Sequence, residues 1–282
     1  MQFAVVAHRR SATNLGLSRP HVAGVEPLLV TPRQALLALR PGDVALARLD
    51  VTAELDGIED GAHELERLDA GGVAVLNPAS ALVAAHDKLL TARLLRRAAL
   101  PHPQTTLVGL GLPEPELALP LVLKPRYGSW GRDVFLCRDR AELREALGVL
   151  ESRRWFAQHG ALAQELVPPR GEDLRVIVAA GRVIGSARRV AAPGEWRTNV
   201  ALGARIEPAP TPPEAAALAR AAATAIRGDL VGVDLLPLPS GHWTILELNA
   251  AVDFRPLYSP AADVFAAAQR ALVESVGAPV AA

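Results

Sequence analysis

Four short apolar runs open the chain, "FAVVA", "VEPLLV", "DVALARL" and "GVAVLN", at spacings that leave room for helices between them. Val/Leu-rich runs of this length read as buried parallel strands, so about residues 1–80 predict a small α/β unit. "ASALVAAHDKLLTARLLRRAAL" then places leucine and alanine at helical spacing with arginine and lysine on the other side. It predicts one helical segment that ends at "PHPQ", where two prolines force an exit. "GLGLPEPELALP" is a proline-rich connection, and after it "LVLKPR", "DVFLCRD" and "ALAQELV" read as strands. "DLRVIVAAGRVIGSARRVA" alternates around Ala180-Gly181 and "VGVDLLPLPSGHWTILELNA" around Ser240-Gly241, which predicts two hairpins. Between them "PPEAAALARAAATAIRG" is a helix begun by prolines and stopped by Gly228, and "AADVFAAAQRALVESVG" closes the chain as another. The expected division is 1–85, an N-terminal α/β unit; 86–160, a central strand-rich lobe; and 161–282, a lobe of antiparallel hairpins with helices.

Composition narrows the class. The 282 residues carry 30 basic and 30 acidic side chains. That balance argues against a nucleic-acid or membrane-surface protein, including one that would use the basic helix 88–97. Hydrophobic residues make up 50% of the chain, yet the apolar stretches break well before the roughly 20 residues of a membrane span. "MQFAVVAHRR" has its apolar run before the charges and no small-residue cleavage site, so it reads as a first strand in a cytoplasmic protein. The single cysteine, Cys137 in "VFLCRD", excludes an intramolecular disulfide and a cysteine metal cage, and reads as a small apolar strand residue.

Candidate chemistry concentrates in two places. Glu247 and Asn249 in "LELNA" are two apart, so on a strand they share a face, and pairing across the hairpin can bring Asp234 of "GVDLL" beside them. Three hard oxygen donors among apolar strand residues suit Mg²⁺, which completes its shell with water and phosphate oxygens; the bland reading is three solvated residues near strand ends. In "LVLKPRYGSWGRDVF", Lys124 leaves a strand as a point charge for phosphate, and Gly128-Ser129-Trp130-Gly131 can close over a nucleotide with backbone N–H groups. Another strand follows, so this is not the strand–loop–helix phosphate loop. Alone, such a loop is an ordinary hairpin turn.

"LVLKPRYGSWGRDV", "QELV…GEDLRVIV", "SARRV…EWRTN" and "GVDLL…ILELNA" come in an order and spacing that resembles the ATP-grasp ligases. The likeness is to the branch of the ribosomal-protein glutamate ligase and the amino-carrier-protein ligases of lysine and arginine biosynthesis. "LNPASALVAAHDKLLTARLLRRAALPHPQT" resembles that branch's entry segment, so the likeness runs from about Asn77 to Asn249. It implies an α/β (α+β) fold in which a parallel N-terminal domain precedes two antiparallel-sheet lobes clasping ATP.

The resemblance implies these roles. Lys88 and Lys124 bracket the ATP phosphates, and Gly128, Ser129, Trp130, Gly131 and Arg132 form a mobile flap. Gln164, Glu165, Leu166 and Val167 make the hinge, Glu165 and the Val167 backbone reading adenine, with Glu172 on the ribose. Asp234, Glu247 and Asn249 hold Mg²⁺ or Mn²⁺. Asp173, Arg175, Arg189, Asn199 and Arg255 line the substrate side, with Arg189, Asn199 and Arg255 nearest the chemistry. Competing roles are a solvated Lys88, cross-strand ion pairing of Arg175 and Arg189, and core packing of Trp196. His8, His86 and His102 are scattered singly and receive no catalytic role.

The implied reaction is amide formation through an acyl phosphate, joining an amino acid such as glutamate to a small molecule, peptide or carrier protein. The implied assembly is a dimer or tetramer. One departure stands out: "TNVALGAR" carries Leu202 where the branch has arginine, and Ala204 at the second glycine. Leu202 is the argument for a second expectation, a non-catalytic ATP-binding regulatory protein on a degenerate frame. "AAVDFRPLYSP" resembles the "MEF" type of ending and leaves the amine acceptor open.

Overall fold

The computed structural model describes residues 1–111 and 116–277, and the opening runs form its first sheet. β1 (Gln2–Val6), β2 (Glu26–Val30), β3 (Val44–Ala47) and β4 (Ala74–Leu76) pair in parallel in the order β2-β1-β3-β4. Parallel strands covered on both faces need continuous apolar runs, and Phe3 to Val6 and Val44 to Ala47 are fully buried. α1 (Ala12–Leu17) adds Leu17 to the core on the Phe3/Val5 side. α2 (Pro32–Ala38) and α3 (Ala62–Ala70) pack against Ala4 and Val6 on the other.

The long helical segment expected after β4 is two helices, α4 (Ala79–His86) and α5 (Lys88–Arg97). Asp87 makes the break. Its backbone leaves the helical region, and its carboxylate accepts from the N–H groups of Leu89 and Leu90, capping α5. Arg126 grips the same carboxylate through Nε and Nη2 at 2.8 and 2.5 Å. Burial works against that charge, but Arg126 and the two N–H groups hold the Asp87 carboxyl below its usual range. The hydrophobic spacing hid the break because Asp87 keeps the apolar stripe in phase.

The central sheet is antiparallel: β5 (Thr105–Val108), β6 (Leu121–Pro125), β7 (Phe135–Cys137) and β8 (Ala161–Glu165), in the order β5-β8-β6-β7. α6 (Arg140–Glu151) and α7 (Arg154–His159) cover it. β8 pairs inside this sheet, so the division expected at 160/161 falls one strand too early. Residues 112–115 of the proline-rich connection lie outside the described residues. Cys137 is buried in β7, and burial pushes its thiol up to about 11, as suits a packing residue. Val51 and Leu55, from the loop after β3, complete this core from the N-terminal side.

Both expected hairpins are present. β9 (Glu172–Ala179) and β10 (Arg182–Val190) turn at Ala180-Gly181, and β12 (Leu230–Pro237) and β13 (Trp243–Asn249) turn near Ser240-Gly241. With β11 (Arg205–Pro208) they form a sheet ordered β11-β10-β9-β12-β13. α8 (Pro213–Ala225) packs on one face and α9 (Val264–Ser275) on the other. Each of these faces shares a core with the parallel sheet: α4, α5 and α8 lie in one, α1 and α9 in the other. Residues 86–97 therefore belong to this joint base and not to the central lobe.

Asn77 joins the two sheets of the base. It is fully buried at φ 54°, a conformation asparagine tolerates better than most residues. Its Oδ1 accepts from the Asp229 and Leu230 N–H groups at 2.7 and 3.0 Å, and its Nδ2 donates to the Leu230 and Ala250 carbonyls at 2.9 and 3.3 Å. Among the described residues no helix is long and apolar enough to cross a membrane.

Candidate active site

Two cavities share the cleft between the central sheet and the base, meeting at Ser129, Trp130, Asn199 and Glu247. The first reaches the segment Gln164 to Val167. Lys88, Lys124, residues 128–132, Gln164 to Val167, Glu172, Asn199 and Glu247 all line it, joined by Trp196, Leu236 and Leu246.

The register of the central sheet places Lys124. Val122 pairs with Gln164, and Lys124 lies two residues further on the same face, a diagonal neighbour. Lys124 Nζ donates to Gln164 Oε1 at 2.7 Å, while Gln164 Nε2 donates to Thr105 Oγ1 at 2.9 Å. Gln164 thus aims the lysine from β8. Burial pulls the Lys124 ammonium down to about 8; Glu247 opposes this and Lys88 adds to it. His102 stands behind Gln164, its Nδ1 2.9 Å from the Ile245 carbonyl, and burial brings its ring down to about 4. It is a neutral residue that backs Gln164.

Lys88 is the first residue of α5, so the Asp87 break aims it into the cleft. Its Nζ lies 2.6 Å from the Gly128 carbonyl and 3.1 Å from Glu247 Oε1. Its side chain is only 12% exposed, which disposes of the solvated-charge reading.

The flap is latched to the segment containing "EWRTN". Trp130 and Gly131 both have left-handed φ, 62° and 71°. A Cβ on Gly131 would come within 2.9 Å of Asn199 Oδ1 and 3.1 Å of Leu202 Cδ1, so only glycine seats here. Arg197 Nη1 donates to the Gly131 carbonyl at 3.1 Å, and Glu195 fixes the guanidinium through Nε and Nη2 at 3.0 and 2.8 Å. That grip holds the Glu195 carboxyl down at about 2. Arg132, at the edge of the cleft, donates to the Ala53 carbonyl at 2.9 Å. Leu202 thus contacts the flap at the position where the branch carries a cation.

On the base, β10, β9, β12 and β13 set Arg189 opposite Asp173, Arg175 opposite Asp234, and Asp234 opposite Glu247. Arg175 Nε and Nη2 donate to the two Asp234 oxygens at 2.7 and 2.8 Å, and Arg189 Nη2 donates to Asp234 Oδ2 at 2.7 Å. Arg189 Nε also donates to Asp173 Oδ1 at 2.7 Å, and Thr198 Oγ1 donates to Asp173 Oδ2. Cross-strand ion pairing is therefore what the structure shows for both arginines. Against the pull of burial, Arg175 and Arg189 hold the Asp234 carboxyl well below the usual carboxylate range. Asp173 borders neither cleft cavity; it is 1% exposed and acts by fixing Arg189 and Thr198 from behind. This corrects its expected place on the substrate side.

The second cavity is lined by Asp234, Glu247, Asn249, Arg175, Arg189, Asn199 and Arg255. A bulge in β13 makes the carboxylates meet: Asp234 pairs with Glu247 while Leu235 pairs with Ile245, leaving Leu246 as the extra residue. Leu246 faces the first cavity as a result. Sequence reasoning missed Leu246, and it missed Asp50 and Asp253, which line the second cavity from loops of distant sequence. The alternation in "WTILELN" gives no sign of the bulge; "EWRTN" carried the family likeness but assigned no site role to Trp196, Arg197 or Thr198.

The three oxygen-bearing residues face one cavity, as a metal site requires. Glu247 Oε1 lies 3.1 Å from Lys88 Nζ, and Asn249 Oδ1 accepts the Ala251 N–H at 2.8 Å. Both oxygens of Asp234 already hold guanidiniums. Among the described residues no group of three or more Asp, Glu, His or Cys could hold a metal. Glu247 and Asn249 are the oxygen donors here of the kind a hard divalent cation takes, while Asp234 holds both arginines.

Residues 85–262 match the model of the RimK-like ATP-grasp domain. The chain is 31% identical over 196 residues to the glutamate–LysW ligase ArgX of Sulfurisphaera tokodaii, covering 67% of this chain and 68% of that protein. It is 30% identical over 219 residues to the tetrahydromethanopterin:α-L-glutamate ligase of Methanosarcina acetivorans, covering 70% and 66%. Each match spans about two thirds of the relative. The RimK domain ATP-grasp protein of Sphaerobacter thermophilus shares the fold, with a TM-score of 0.68 at 24% identity over 96% of this chain and 98% of that one.

Proposed function

We propose how the residues of this chain divide the work, from the premise that it belongs to the RimK-like ATP-grasp family and is an ATP-dependent ligase of the kind that joins amino acids. The observation that carries the reading is the meeting of Lys88, Lys124 and Glu247 under a glycine-flanked flap.

ATP occupies the first cavity, its adenine at Glu165 to Val167 and its ribose near Glu172. Lys124, aimed by Gln164, and Lys88, released from Glu247, take the phosphates. Glu247 and Asn249, with Asp234 behind them, hold Mg²⁺, which neutralises phosphate charge when bound. A carboxylate oxygen of the first substrate attacks the γ-phosphorus, ADP leaves, and an acyl phosphate remains. The amine nitrogen of the second substrate then attacks the acyl carbon. Phosphate departs with the C–O bonding pair, and the nitrogen gives its proton to solvent. Arg189 and Arg175 face the reacting groups with planar donors suited to carboxylate or phosphoryl oxygens. The flap excludes water, because a hydrolysed acyl phosphate consumes ATP without product.

The test is ADP release by the purified chain with Mg-ATP and a matrix of amino-acid and carboxylate partners. Release that requires two organic substrates together supports the reading. Tight ATP binding with no release for any pair overturns it in favour of a nucleotide-binding regulator.

A further inference from the structure

The two lysines that line the first cavity stand on different parts of the fold, and one ion pair fixes the interval between them. Lys124 lies near the end of β6 in the central sheet, while Lys88 opens α5 on the base. Arg126 comes two residues after Lys124, and Asp87 comes immediately before Lys88. Arg126 meets Asp87 as a fork, Nε on Oδ1 and Nη2 on Oδ2, and the Tyr127 hydroxyl makes a longer contact to Oδ2 at 3.4 Å. A planar guanidinium that engages both carboxylate oxygens fixes direction as well as distance. The Asp87 side chain is 4% exposed and that of Arg126 27%, so water screens this pair less than it screens a surface one.

The backbone repeats the connection. The Lys88 N–H, one of the four that a helix cannot satisfy at its own start, donates to the Arg126 carbonyl at 3.2 Å. Lys88 Nζ donates to the Gly128 carbonyl at 2.6 Å. Asp87 Oδ1 meanwhile accepts from the Leu89 and Leu90 N–H groups. One carboxylate therefore holds the first turn of α5 with one oxygen and the root of the flap with both.

Resting on the phosphate role given to Lys88 above, we infer that Arg126 is a positioning residue of the nucleotide site. It stands outside the lining of the first cavity and acts through Asp87. Capping α5 needs only the carboxylate oxygen. The guanidinium adds the tie across to the central sheet, which sets the first turn of α5 against the flap root and places the Lys88 ammonium at a fixed span from Lys124.

The experiment is calorimetric titration of the full chain with ATP and Mg²⁺, arranged as a double-mutant cycle. Arg126→Met weakens ATP by about tenfold. Asp87→Asn keeps a good helix cap but loses the charge and the second acceptor oxygen of the fork, and it weakens ATP to a similar degree. Lys88→Met weakens ATP too, and in that background neither change weakens it further, because both act through Lys88. A residue that merely supports the fold lowers the melting temperature and adds its effect in either background. Asp87→Asn completes the cycle by itself if Arg126→Met does not fold. Full ATP affinity in these variants, or an effect undiminished in the Lys88→Met background, overturns the inference while the phosphate role of Lys88 stands. A Lys88→Met chain that binds ATP as the wild type does overturns that role, and the inference falls with it.

Discussion

Lys88 and Glu247 hold each other across the cleft at 3.1 Å, so the cation suited to phosphate and the carboxylate suited to a metal form one ion pair. Nucleotide with its metal competes for both partners. Glu247→Gln therefore removes a proposed metal ligand and frees Lys88 in one change. Expected are a loss of about 10²–10³ or more in turnover, a melting temperature little changed, and ATP affinity that no longer depends on Mg²⁺. Nucleotide titrations with and without Mg²⁺ check this. A variant that keeps its Mg²⁺ dependence places the metal elsewhere.

Lys124 titrates near 8 in the fold against 10.5 for an ordinary lysine. Between those values the unfolded chain carries a proton the fold lacks, so this residue's effect on stability becomes more favourable as pH rises from about 8 to 10.5. Below that window its buried charge opposes folding by roughly 3 kcal/mol. Phosphates restore the proton. ATP binding at about pH 8.5 should therefore take up a proton, and affinity should fall as pH climbs above this point. Calorimetry in buffers of different ionisation heat reads the uptake directly; Lys124→Arg, always charged, abolishes it.

Gly131→Ala puts a methyl group against Asn199 and Leu202 at a backbone angle that alanine resists. The flap then fails to seat on the Arg197 latch. Comparing ADP with amide formed per unit time is the measurement: the ratio stays near one in the wild type and rises in the variant as water reaches the acyl phosphate. An unchanged ratio means the flap has no part in excluding water.

Asn77→Ala strips hydrogen bonds from the backbone of Asp229 and Leu230 and leaves alanine at positive φ. Two or more orphaned buried groups cost about 2–5 kcal/mol. Urea denaturation should show a lower midpoint. A shift below about 1 kcal/mol means that water or a local shift replaces the side chain.

Much of this was legible in the sequence because strand alternation and turn dipeptides are local signals. The two hairpins and the Lys124 strand with its flap follow from them. Three features did not show. The Asp87 break keeps the helical phase, and the Leu246 bulge shifts register by one residue without altering composition. The links of Arg175 and Arg189 to Asp234 depend on strand order, which places β9 beside β12; only the Arg189–Asp173 pair lies within one hairpin. Asp50 and Asp253 are invisible for a related reason: each is an unremarkable loop acid until the fold brings their distant segments to one cavity.

The shared cores that join the first and last sheets make them a single stator. The central sheet has its own core, and the loop carrying Val51 and Leu55 is buried in it. That loop works as a short leash, further tied by Arg132 to Ala53. Lengthening this connection by a few residues should loosen the central lobe's hold on the base and quicken release of a fluorescent nucleotide.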